Sequence, residues 1–97
     1  MSNSSIAPPL EVALEIGRAV EQVQAVFLAL TEKEKLLTVL TIVPERNRSV
    51  CRRVYTIEQR IIDRYPEFDF AFSVLASNGR EPREIVKDPG MYQAFSR

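Results

Sequence analysis

Ninety-seven residues allow one domain around one hydrophobic core and leave no chain for a second lobe. Hydrophobic residues at 45% and charged residues at 27% argue against a disordered chain, and a net charge of zero removes any bulk attraction to nucleic acid or anionic membrane. The lone Cys51 excludes an intrachain disulfide and a thiolate-built metal site.

The opening Met-Ser-Asn-Ser-Ser carries neither the basic region nor the apolar run of a signal peptide, and no apolar stretch approaches the ~20 residues that span a bilayer. A cytoplasmic location away from membranes is therefore expected. Residues 1–8 read as a disordered tail, leaving 9–97 as a single α/β (α+β) domain. Pro8-Pro9 opens a helix expected to run to about Leu30, since proline is tolerated in a first turn. Thr31 to Lys35 is charged and turn-like, although Thr31 and Glu34 also fit a capping box for a short helix. Leu36 to Val43 is rich in β-branched residues and apolar on both faces, which predicts a central strand ended by Pro44.

A helix follows from Asn47 or Ser49, either serving as N-cap, to Tyr65, with Pro66 closing it. Val50, Val54, Ile57, Ile61 and Tyr65 fall on one apolar stripe. Phe68 to Ala76 alternates, with Phe68, Phe70, Phe72 and Val74 on one side, and predicts a strand with one well-buried face. Strand, helix and strand imply a right-handed crossover and a parallel pair. Asn78-Gly79 marks a tight turn, Pro82 to Lys87 one helical turn, and Met91 to Phe95 a short edge strand. The expected architecture is a two-layer domain ordered helix–strand–helix–strand, with a short C-terminal element, helix or strand.

The chain contains no histidine, which removes the commonest general base, the commonest metal ligand and every Ser-His or Cys-His arrangement. Gly17, Gly79 and Gly90 are isolated, so neither a dinucleotide fingerprint nor a phosphate-binding loop forms from them. Glu67 and Asp69 are the only close carboxylates in or beside a strand, and they read as a solvated strand edge. Cys51 lies on the apolar arc of its helix and reads as a buried, inert thiol; Glu58, inside the same arc, is expected to pair with a basic group. No catalytic residue, cofactor or metal site is expected.

A hydrophobic strand (Leu37 to Val43), a helix, a Phe68-Asp69-Phe70 strand, a Gly-Arg-x-Pro-x-Glu turn (Gly79 to Glu84) and Pro89-Gly90 before Met91-Tyr92 follow one another. In this order the run from Leu36 to Phe95 resembles the second half of small bacterial nucleotidyltransferase-like domains. The resemblance implies a nucleotide-binding ancestry, in which a Gly-Ser motif holds phosphates and two aspartates hold magnesium. This chain has no Gly-Ser motif and no aspartate on its first predicted strand; Asp69 alone sits where such domains can place a third carboxylate. What the resemblance implies is a catalytically inactive relative.

Two surfaces remain. Residues 46–64 carry a net charge of +4, against −3 for 1–45 and −1 for 65–97. Arg53, Arg60 and Arg64 share the face opposite the core, either as a solvated surface or as an anion or nucleic-acid contact, since guanidinium forks match phosphates. The first helix, read as continuing to Leu30, is apolar over far more than the ~100° that one buried side requires. That surplus predicts self-association or a protein partner along Leu10, Leu14, Gly17 and Leu28, with nucleic acid possible but not favoured. The expected function is a non-catalytic interaction module.

Overall fold

Two elements occupy the stretch expected to be one long helix. The computed structural model describes residues 8–97, and in it helix α1 (Pro8–Ala19) stops after three turns. A turn at Glu21-Gln22 then leads into strand β1 (Ala25–Thr31). Val26 and Leu28 face the helices, while Ala25 and Phe27 face the other way, and all four are buried. A strand buried on both faces reads as a continuous apolar run, which periodicity cannot separate from a buried helix. The apparent surplus of apolar helix surface is the second face of this strand. The disordered tail expected over residues 1–8 lies outside the described residues except for Pro8, the first residue of α1.

The rest of the chain follows its pattern closely. Thr31 ends β1 and Glu32 to Lys35 is a tight turn, not a helix, with Lys35 in the left-handed region at φ 51°. Strand β2 (Leu36–Val43) returns antiparallel to β1, pairing Ala25 with Ile42 and Thr31 with Leu36. Helix α2 (Arg48–Arg64) is capped by Asn47, whose side chain accepts from the Val50 amide at 2.9 Å. Strand β3 (Asp69–Ala76) pairs with β2 in parallel from Leu36–Asp69 to Val43–Ala76, as the crossover predicts. The short helix α3 (Pro82–Ile85) and strand β4 (Tyr92–Ser96) complete the chain, with β4 antiparallel to β1.

These elements form an α+β domain of three helices and a four-stranded mixed sheet in the order β3-β2-β1-β4. α1 and α2 cover one face, where Val12, Ile16 and Val20 meet Val26, Leu28 and Val39 from the sheet and Val54, Ile57 and Ile61 from α2. Burying each of these side chains contributes ~1.5–3 kcal/mol. On the opposite face a smaller cluster of Ala25, Phe27 and Ile42 is covered by Leu75, Val86 and Met91.

The two outer strands compare differently with the sequence expectation. β4 takes the edge position that was expected of it. β3 also lies at an edge, so Phe68, Phe70, Phe72 and Val74 are half-buried instead of well buried.

Candidate functional site

The four residues expected to form an interface do not share a surface. Leu28 is fully buried in β1 beneath the helices. Gly17 is buried as well, and a Cβ there would lie 2.5 Å from the Phe95 ring, so its missing side chain admits β4's aromatic and not a second molecule. Leu14 is half-buried and Leu10 is 37% exposed, too small a remnant for a helix-one interface.

The arginines of α2 divide into two sets. Arg64 donates to Glu15 of α1 at 2.6 Å and ties the two helices together. Arg53 lies beside the α1 end, at Ala19 and Val20, and Arg60 is exposed on the same side. The three therefore sit on the solvent side of α2, as expected, with one of them engaged internally. Arg46, Arg48 and Arg52 instead surround a groove of about 430 Å³ between the start of α2 and the outer edge of β3. Its floor is Phe72, Ser73 and Val74, and Cys51, Tyr55 and Glu58 overhang it.

Why the groove stays open follows from topology. The β2-α2-β3 crossover places α2 above the outermost strand, and among the described residues no further strand lies beyond it. The Asp69 amide donates to the Lys35 carbonyl and the Ser77 amide to the Val43 carbonyl, each at 2.8 Å, so odd-numbered backbone groups face β2. Alternation along an unbroken register leaves the amides and carbonyls of Phe70, Phe72 and Val74 on the free edge. Above them Phe70 and Phe72 stack at 5.2 Å between centroids, and Tyr55 and Ile62 of α2 are 60% and 39% exposed.

Two side chains in the groove depart from expectation. Cys51 is half-buried and lines the groove, because its arc of α2 faces the sheet edge, where no further strand of the described residues covers it. Glu58 is buried without the basic partner expected for it. Its Oε2 has no hydrogen-bond partner, and burial pushes its carboxyl from 4.5 up to about 7. The arginines around it reach toward solvent, since α2 presents them on the rim and Glu58 on the inner wall.

Among the described residues, no three of His, Cys, Asp or Glu come together as a metal site, and no helix is long and apolar enough to cross a membrane. Asp69 stands exposed at the start of β3 and belongs to no such group. No protein-family model matches the chain, and a search of curated proteins returns no relative. Sequence reasoning missed the groove because it read Phe68, Phe70, Phe72 and Val74 as a well-buried face and Cys51 as a buried thiol. The available signal was Tyr55 and Ile62, apolar residues just outside the buried stripe of α2 on the side of Cys51.

Proposed function

We propose that the chain is a non-catalytic interaction module whose docking surface is the free edge of β3 together with the overhanging face of α2. The observation that carries this reading is the edge itself. Along eight residues in unbroken register, Phe70, Phe72 and Val74 present backbone groups unpaired among the described residues, beneath the rings of Phe70, Phe72 and Tyr55 and the side chain of Ile62, and the strand carries no bulge or proline. Such an edge is a template for an added strand, and soluble proteins ordinarily blunt it. The exposed aromatics supply the apolar contact that backbone pairing alone lacks. The arginine rim gives the surface a strongly polar border at one end.

A photo-crosslinking residue in place of Tyr55 tests this in living cells. A discrete protein adduct is expected, lost when Ile62→Glu is added and absent when the crosslinker replaces Lys33 in the β1–β2 turn. Equal labelling from both positions, or none from position 55, overturns the reading.

A further inference from the structure

We propose that the occupant of this face is a second copy of the chain, its β3 pairing antiparallel with the first across a two-fold axis at Phe72. The inference rests on the docking reading above and names its partner.

A two-fold interface brings one patch against itself, so the patch must be self-complementary. The hydrogen-bonding groups meet that demand. Phe70, Phe72 and Val74 present the free amides and carbonyls, and rotation about Phe72 sets Phe72 opposite itself and Phe70 opposite Val74 of the partner subunit. The elements also match in length. β3 has eight residues and spans about 26 Å, while α2 has seventeen and spans about 25 Å, running antiparallel above it. The same rotation that pairs the strands therefore lays the two α2 helices side by side, with Tyr55, next to the helix midpoint, close to the axis.

Charge decides the arrangement. Arg46, Arg48 and Arg52 gather where α2 begins and β3 ends, while Asp63, Glu67 and Asp69 lie exposed where α2 ends and β3 begins. Parallel, in-phase stacking of two copies would set like charges together. The antiparallel two-fold sets each basic end on the acidic end of the other copy, twice over. Within one chain this placement works against the helix, because the first turn of α2 holds Arg48 and no acidic residue, opposite to what its dipole favours. An antiparallel neighbour helix reverses that penalty, since each terminus meets the oppositely polarised end of its partner.

The test uses charge reversal at exposed positions, where each variant keeps its fold by circular dichroism. Wild-type protein at micromolar concentration is expected to sediment as a dimer. Asp63→Arg with Glu67→Arg makes both ends basic, and Arg48→Glu with Arg52→Glu makes both ends acidic. Each double variant alone is expected to lose at least tenfold in self-affinity and sediment as a monomer. An equimolar mixture is expected to recover a dimer containing one chain of each kind by native mass spectrometry. A double variant that stays dimeric by itself, or a mixture that stays monomeric, overturns the two-fold pairing. A monomeric wild type whose Tyr55 crosslink reaches a different protein overturns the second copy and keeps the docking surface; absence of any adduct at Tyr55 removes the docking surface itself.

Discussion

The two edges of this sheet are managed in opposite ways. β4 is five residues long, and its pairing with β1 shifts register between Val26 and Phe27, leaving Ala94 opposite no β1 residue. The irregularity twists the edge and breaks the template. Beyond it the chain is fastened down. The Phe95 ring lies on Gly17, the Arg97 amide donates to the Gln24 carbonyl, and the Arg97 guanidinium donates to carbonyls at the end of α1. β3 has no bulge, no strand beyond it among the described residues, and a groove above it. One edge is short, bulged and closed down against α1 by the chain's own residues; the other runs continuously over eight residues. A protein that protects one edge this thoroughly has the means to protect both, and the contrast supports reading β3 as a surface kept for use.

Removing the closure at β4 should have the largest effect. Phe95→Ala deletes a half-buried ring and leaves a void over Gly17, at a cost of about 2–4 kcal/mol in urea denaturation. The same experiment sharpens the role of Gly17. Gly17→Ala should destabilise the wild type, because a Cβ there collides with the ring, yet stabilise the Phe95→Ala protein by up to ~1 kcal/mol through helix propensity. A change of the same sign in both backgrounds would show that Gly17 is not there for Phe95.

At the other edge, Glu58→Gln should stabilise the protein near neutral pH. The folded carboxyl, at about 7, binds its proton more tightly than the unfolded one at 4.5, because burial disfavours the charge. Between those values the folded state holds more protons, so stability falls as pH rises and levels off above 7. Arg46, Arg48 and Arg52 are the charged groups around it, and β3 contributes none. Allowing for solvent entering the groove, the penalty at pH 7.5 is about 1–3 kcal/mol. Glu58→Gln should recover most of it and flatten the profile between pH 5 and 7.5. An unchanged slope would mean that the carboxyl is paired or hydrated in solution.

The contrast between the edges also accounts for what could be read in advance. β2, α2 and the parallel β2–β3 pair were legible because alternation, an N-capping Asn47 and the Pro44 and Pro66 stops all agree there. The break between α1 and β1 was not legible, since Val20 to Leu30 contains neither glycine nor proline and Val23 to Leu30 is apolar at nearly every position. Only burial on both sheet faces separates that run from a helix. With β1 hidden, the sheet lacked a strand, the Phe68–Val74 face of β3 read as well buried, and the surplus apolar surface was assigned to an interface along Leu10, Leu14, Gly17 and Leu28. Local pattern reports which residues want burial; it does not report which strand ends up outermost.

Arg97 offers the smallest and most specific test of the closed edge. Its Nε donates to the Val23 carbonyl at 2.9 Å, and its Nη2 donates to the carbonyls of Gly17 and Val20. These belong to the last turn of α1 and the loop after it, where carbonyls lack intrahelical donors. The guanidinium also sits 5.4 Å from the Phe95 ring centroid. Because Arg97 is exposed, water can replace much of what its removal takes away, so Arg97→Ala should cost only about 1 kcal/mol. Arg97→Lys separates the causes. An ammonium keeps the charge at the helix C-terminus but cannot fork across three carbonyls. If geometry is what closes this edge, lysine should recover less than half of the loss in urea denaturation. Full recovery would show that a positive charge near the end of α1 is sufficient, and that the fork is incidental.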